Sequence, residues 1–558
     1  MYGIVLGAIA IVLLLIIKVE NDKVKNKRKL VARLKKQWGD VPSQEYTFEK
    51  FQSITAYYKA VKNAETDVDD ITWNDLDMDQ IYMTMNNTSS AIGEEYLYAL
   101  LRQLKFDEEE LKERNRLIEF FSNNEEKRLQ IQEILSIMGK VKNVSIYDYM
   151  NRLHDIPKEN NMTHYLLIAS LFIGVGFIFI DPLTGVLLTV GCVVNNIVRY
   201  YRRKMEIEKY YEVVSYIIRL LDSVKLLNQS NIEEIKPYTT ELKKLVKIFA
   251  SFRRGARIVA PKKPTGDMLE LVVEYPRMIF HMDLIKFNKM IQTFEEYQDE
   301  LQIVYQTIGL LDSMIAVASF RELMGEYSLP ILTKTKAPHI DAEDIFHPMI
   351  NSPVKNSIKT DKCVLITGSN ASGKSTFIKT LAINAILSQT VFTSMSKKYE
   401  ASYFKVASSM ALQDSLSNNE SYYIVEIKSL KRIVDMSKDE IPTLCFVDEV
   451  LRGTNTLERI AASSRILQSL AMSNAICFAA THDIELTHIL ENYYSNYHFQ
   501  EQIVDNNILF DYILHDGRAI SKNAIKLLSI IGYSEDIITE ATNSANHFLE
   551  VGEWDIIK

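Results

Sequence analysis

The chain has few of the features that mark secreted, metal-templated or general polyanion-binding proteins. It carries only four cysteines in 558 residues. Cys192, Cys363, Cys445 and Cys477 have no paired or metal-like spacing, which excludes a disulfide framework and a zinc site. Three of them sit in apolar runs, so cysteine serves here as a small hydrophobe in a reducing compartment. Positive charge is not in surplus: 64 Lys and Arg face 72 Asp and Glu, a net charge of −8, so the molecule as a whole is no generic binder of polyanions. Internal repeats and low-complexity tracts are absent, which excludes a solenoid or a biased linker. A cleavable secretory signal is missing too. Such a signal puts positive charge before its apolar run and a small-residue cleavage site after it, whereas here the charge follows.

What is present is strongly segregated. The length asks for three or four units. Gly3 to Ile17 is apolar and uncharged, and a dense basic stretch follows from Lys23 to Lys36. This pattern predicts a transmembrane anchor over 1–20 and a basic juxtamembrane segment over 21–46, with the N-terminus outside and the following chain in the cytoplasm. The basic block also suits anionic lipid. Tyr165 to Ile180 forms a second apolar run, which turns at Asp181-Pro182 and continues from Leu183 to Val198 before Arg199-Tyr200-Tyr201-Arg202-Arg203-Lys204. We expect a transmembrane helical hairpin within 161–204, making three spans in all. At about 1.5 Å per residue each arm covers roughly 24 Å, short for a bilayer and in need of flanking residues such as Met162 or Tyr200.

Between and after these runs the spacing of apolar residues is helical, predicting the first half of a helical core over 47–160 and a second half, or lever, over 205–330. Leu301, Val304, Ile308, Leu311, Ile315 and Ala318 form one stripe, the mark of a core or helix-pairing face. Arg253, Arg254, Arg257, Lys262 and Lys263 form a basic cluster that reads as a solvated turn, with contact to nucleic acid or lipid as the alternative. From Ile331 strands and helices alternate to about residue 545, in the manner of a parallel α/β sheet, with a tail over 546–558.

Chemistry concentrates in that last region. Gly368-Ser369-Asn370-Ala371-Ser372-Gly373-Lys374-Ser375 follows the apolar run Cys363-Val364-Leu365-Ile366 and precedes a helix that starts near Thr376. It is a phosphate-binding loop in a strand-to-helix setting: glycines let backbone N–H groups converge on phosphates, and the helix adds its positive end. Lys374 is placed to contact the outer phosphates of ATP and Ser375 to hold magnesium. The strand Pro442 to Val447 ends in Asp448, suited to Mg²⁺, and Glu449, suited to orient or deprotonate an attacking water. A further strand, Ala475 to Ala480, delivers His482, a candidate to sense the γ-phosphate or position the water.

These residues together resemble the MutS-type ATPases, within the ABC-ATPase class. The likeness rests on His347-Pro348-Met349, the phosphate loop with Asn370, the stretch Asp414 to Glu426, the string Asp448-Glu449-Val450-Leu451-Arg452-Gly453-Thr454-Asn455-Thr456, and Thr481-His482. Resemblance implies that Ser421 reaches across a homodimer to the partner's nucleotide, and that Val354 and Asn356 approach the adenine. Asp77 to Leu101 resembles the start of the family's helical core, and Leu301 to Phe320 its returning lever. The hairpin departs from the pattern, lying where relatives carry a DNA-encircling clamp. No stretch resembles the mismatch-reading domain with its Phe-x-Glu wedge, nor a C-terminal nuclease-like domain.

The reading that follows is a multidomain chain, an α-helical core with transmembrane helices followed by a P-loop ATPase domain. It is expected to act as a membrane-anchored dimeric Mg-dependent ATPase that moves the helical core on behalf of an unknown protein client. Two others compete: a tethered DNA-binding protein of mismatch-repair type, which needs a basic stripe and a steep salt dependence, and a nucleotide-gated scaffold with negligible turnover.

Overall fold

The computed structural model describes residues 2–152, 159–250, 275–335, 337–369, 372–410, 422–504, 507–519, 524–554 and 556–557. The basic cluster at 253–263 lies outside them. The chain divides into two compact units, residues 1–62, 82–101 and 112–325, and residues 63–81, 102–111 and 326–558. The helical half expected over 47–160 is therefore shared: its 63–81 and 102–111 segments pack within the second unit.

The first unit is helical. One helix, Tyr2–Gln37, runs through both the apolar run and the basic block. Two of its lysines make surface ion pairs with acids of the same unit, Lys27 with Glu133 at 2.9 Å and Lys35 with Glu125 at 2.7 Å. The stripe on the Gln298–Met324 helix is core, every member from Leu301 to Ala318 being at most 3% exposed. A buried carboxylate on the same helix fixes the chain ahead of the Ala91–Arg102 helix. Asp312 accepts from Ser89 N at 2.9 Å, Ser90 N at 2.9 Å and Ser90 Oγ at 2.6 Å, and burial pushes its carboxyl up to about 6. A Cβ on Gly93 would fall 2.7 Å from the Asp312 Cγ. Gly93→Ala is expected to destabilise this unit by about 1–3 kcal/mol through overpacking. Its thermal unfolding midpoint should fall by at least about 2 °C, and an unchanged midpoint would show that the carboxylate moves aside freely.

The apolar hairpin is two helices, Asn161–Phe177 and Pro182–Gln229. Asn160 caps the first by accepting from Met162 N at 2.9 Å, and Pro182 opens the second, where its missing N–H costs nothing. Gly185 permits the tight return, since a Cβ there would meet the Phe177 carbonyl carbon at 2.6 Å. Along the 48-residue second helix one residue type meets two fates. Leu183, Val186, Leu187, Val190, Val194 and Val198 are exposed, while Val213, Val214, Ile217, Leu220, Leu221 and Val224 are fully buried. At the base, Tyr200 Oη donates to Asp283 at 2.8 Å and Asn196 Nδ2 to Ile279 O at 3.2 Å, fastening the hairpin to its unit. Among the described residues two helices are long and apolar enough to cross a membrane. Gln298–Met324 has 83% of its apolar window buried, and Pro182–Glu208 only 17%.

The second unit is mixed α/β. Its strands are β1 Ile331–Thr333, β2 Ile340–Ile345, β3 Asn356–Thr360, β4 Cys363–Thr367, β5 Lys398–Ser402, β6 Lys405–Ser409, β7 Thr443–Asp448, β8 Ala475–Ala480, β9 Tyr494–His498, β10 Glu501–Val504, β11 Asn507–Phe510 and β12 His515–Asp516. The main sheet has the order β12-β9-β4-β8-β7-β6, parallel except at β12. A second sheet, β1-β5-β2-β3, pairs β2 antiparallel to both neighbours, so the parallel pairing expected from Ile331 onward holds among β4, β6, β7, β8 and β9 and not throughout. All four cysteines are free, and Cys363, Cys445 and Cys477 are buried in β4, β7 and β8. The Asp70–Asp75 helix packs on β6, where Asp75 accepts from Ser408 Oγ at 2.7 Å. The C-terminal helix Glu535–Val551 runs into the segment read as a tail.

Candidate functional site

β4, β8 and β7 are adjacent and parallel, so their carboxyl ends open on one edge, where sheets of this kind take ligands. β4 delivers the phosphate loop. Gly368 has φ 146° and Gly373 φ 109°, conformations an L side chain rarely adopts, and a Cβ on Gly368 would fall 2.6 Å from Phe499 O. The helix Lys374–Thr390 then starts with its free N–H groups toward the loop. Ser372 Oγ donates to Ser369 O at 2.8 Å, and Lys374 Nζ donates to Gly368 O at 2.7 Å and Ser369 O at 2.8 Å. Burial pushes the Lys374 ammonium pKa down, while Asp448, Glu449 and Glu501 pull it back up. Asn370 and Ala371 lie outside the described residues, as does Ser421.

β7 delivers the acids. Asp448 Oδ2 accepts from Ser375 Oγ at 2.5 Å, bringing together the two residues read as magnesium ligands. Burial raises the Asp448 carboxyl, Glu449 adds to this, and the Ser375 hydrogen bond opposes it. Glu449 follows at φ +55°, a strained position for a branched-chain-free but bulky residue, held by its N–H to Ala480 O at 2.9 Å. That turn aims its carboxylate sideways, where Oε1 lies 2.9 Å from His482 Nε2 and Oε2 lies 2.9 Å from Arg452 Nε. Burial and Lys374 lower the His482 pKa, and Glu449 raises it. The string after Glu449 is structural in part: Asn455 caps the Thr456–Ala471 helix by accepting from Glu458 N at 3.0 Å.

Beside the loop is a cavity of about 490 Å³ lined by Phe346, His347, Val354, Gly373, Thr376 and Tyr512, among others. Val354 is exposed in it. Asn356 lines it too, but its carboxamide donates to Tyr512 O at 3.0 Å and accepts from Leu514 N at 2.8 Å, so it fixes the wall that carries Tyr512. Burial pushes the His347 imidazole down to about 4, so this wall is neutral at physiological pH. Its size and mostly apolar lining suit a planar base.

Sequence reasoning passed over three groups. Glu501 accepts from Ser369 Oγ at 2.7 Å and tethers the loop from β10. Glu426 accepts from Leu451 N and braces the turn after Glu449. Asp483 holds Arg459 by two contacts, 2.9 and 2.6 Å, locking the end of β8 to the helix after β7. Glu426 falls in the family-like stretch and was within reach, whereas Glu501 has no motif around it.

Residues 364–549 match the family model of MutS domain V. MutS protein homolog 4 of Homo sapiens is 28% identical over 295 residues, 49% of this chain and 30% of that protein. The DNA mismatch repair protein MutS of Exiguobacterium sp. is 27% identical over 298 residues, 51% of this chain and 34% of its own length. That of Thermotoga maritima is 24% identical over 266 residues, 46% and 33% respectively. The chain thus covers about a third of the length of these curated relatives.

Proposed function

Starting from its MutS-family ATPase domain, we propose that this chain is a membrane-anchored, dimeric, Mg-dependent ATP hydrolase whose nucleotide state moves the helical unit. The observation that carries hydrolysis is the placement of Glu449. Its carboxylate is held between His482 and Arg452, one residue beyond the Ser375–Asp448 pair. The hard oxygens of Ser375 and Asp448 fit Mg²⁺, and the left-handed glycines fit a triphosphate drawn close to the backbone. ATP with its magnesium supplies the electrophilic phosphoryl group. Lys374 offers charge to the outer phosphates, Asp448 and Ser375 offer oxygens to the metal, Glu449 orients the attacking water and takes its proton, and His482 steadies Glu449. Thr376, Val354 and Tyr512 border the space for the base.

The exposed apolar hairpin supports membrane insertion, because a contiguous apolar surface of this extent is unstable in water. DNA binding is a second reading, favoured by the names of the MutS relatives.

The composite-site reading is tested by mixing two inactive variants. Ser421→Ala removes the group offered to the partner, and Lys374→Ala removes the phosphate lysine. A mixed dimer holds one site with Lys374 from one subunit and Ser421 from the other, and one site lacking both. ATP hydrolysis is expected to recover toward half the parent value per mixed dimer, about a quarter of it in a one-to-one randomly paired mixture, with each variant alone near background. No recovery, with heterodimers shown to form, overturns the shared site, and a parent that binds ATP without hydrolysing it selects the scaffold reading.

A further inference from the structure

An acid beside a phosphate-binding loop runs against the charge of the ligand, and this loop has one. Glu501 opens β10 and is only 9% exposed. Burying a carboxylate is costly unless something holds it, and here Oε2 accepts from Ser369 Oγ at 2.7 Å. The preceding chain brings it there. Phe499 N donates to Thr367 O at 2.9 Å at the end of β4, and the Phe499 ring lies edge-on to Phe377 of the Lys374–Thr390 helix, centroids 5.9 Å apart. Glu501 follows two residues later, on the same face of the chain, and meets the loop at Ser369.

Lys374 feels this residue in two ways. Ser369, which Glu501 holds, supplies one of the two carbonyls that accept from Lys374 Nζ, at 2.8 Å, with Gly368 O at 2.7 Å. Glu501 also attracts the ammonium through space, together with Asp448 and Glu449. Three carboxylates thus act on one lysine. Two of them have a task in the reading above, Asp448 toward the metal and Glu449 toward the water, and Glu501 has none. It arrives from β9, on one side of β4, whereas Asp448 and Glu449 arrive with β7 on the other.

We propose that Glu501 is a positioning residue that holds down the affinity for ATP: its carboxylate sets the loop through Ser369 and competes with the nucleotide's phosphates for Lys374. The inference rests on the nucleotide-binding part of the reading above and not on hydrolysis. Contact and charge act with opposite signs. The hydrogen bond to Ser369 favours binding, because a loop already held has less freedom to lose, while the fixed charge opposes the phosphates. Glutamine separates the two, since its Oε1 still accepts from Ser369 and its charge is gone.

The test is calorimetric titration of the non-hydrolysable analogue AMP-PNP, with Mg²⁺, into full-length protein. Glu501→Gln is expected to bind at least about fivefold more tightly than the parent. Ser369→Ala, which drops the hydrogen bond and keeps the charge, is expected to bind more weakly. Losing a mere brace cannot tighten binding. The single-turnover rate of ATP hydrolysis in Glu501→Gln should stay within about twofold of the parent, because the water-side acids lie across β4. Equal or weaker binding by Glu501→Gln overturns the proposal. So does a Ser369→Ala variant that binds as tightly as Glu501→Gln, since freeing the loop would then explain the gain, and so does a single-turnover rate that falls by about tenfold, which would put Glu501 in the chemistry. If the parent binds AMP-PNP and hydrolyses no ATP, the hydrolase reading fails while the two binding comparisons still decide this one; a parent that binds no nucleotide overturns both.

Discussion

Glu449→Gln is expected to bind ATP as well as the parent and to lose turnover by about 10²- to 10⁴-fold, the range for removing a positioned general base. Glutamine keeps the size of the side chain and can still reach His482 and Arg452, which hold the carboxylate at 2.9 Å on either side. It loses the ability to take a proton. The strained φ of +55° is backbone geometry fixed by the Ala480 carbonyl, so the substitution does not release it. Binding should hold or tighten, because one negative charge leaves a site that also contains Asp448 and Glu501. The check is single-turnover hydrolysis beside equilibrium binding of a fluorescent ATP analogue. Unchanged turnover would remove Glu449 from the mechanism, and lost binding would make it a structural brace.

The legible part of this site is the part where chemistry dictates residue type locally. Gly368 and Gly373 adopt backbone angles that only glycine takes without strain, so the phosphate loop is written in eight consecutive letters. Asp448 and Glu449 are legible because they end an apolar strand. Glu501 is illegible for the opposite reason: it meets Ser369 only because β9 pairs with β4, a register that nothing near residue 501 announces. The units show the same limit. Helical periodicity marked 63–81 as helix but could not say which core its apolar face joins, and the Asp70–Asp75 helix is taken up by β6. The mixed second sheet was missed because β1 to β4 follow one another with no helix between them, and the strand–helix alternation that suggests parallel pairing starts only after β4. The Leu301 to Ala318 stripe was readable as core because a continuous apolar face at helical spacing has few other uses.

At the hairpin, water and lipid demand opposite outcomes from one substitution. Leu187 and Val190 are 66% and 55% exposed. If the hairpin stands in water, replacing both with arginine is a surface change, worth within about 0.5 kcal/mol at each position. If it stands in a bilayer, each arginine near the middle of a span costs about 2.5–3.5 kcal/mol, enough in sum to abolish insertion of two short arms that are already marginal in length. The readout is a cysteine at the turn, Thr184→Cys in a Cys192→Ser background, labelled by a membrane-impermeant maleimide applied to intact cells. Labelling from outside is expected for the parent hairpin and should be lost in the Leu187→Arg, Val190→Arg variant, with the turn becoming reactive only after lysis. The buried half of the same helix provides the contrast. Val213, Ile217 and Leu220 are sealed in the helical unit by protein rather than lipid, so the double variant should leave that unit's unfolding midpoint in place. A turn that labels only after lysis in the parent would return the hairpin to the cytoplasmic side and leave the apolar run Gly3 to Ile17 as the anchor expected from the sequence.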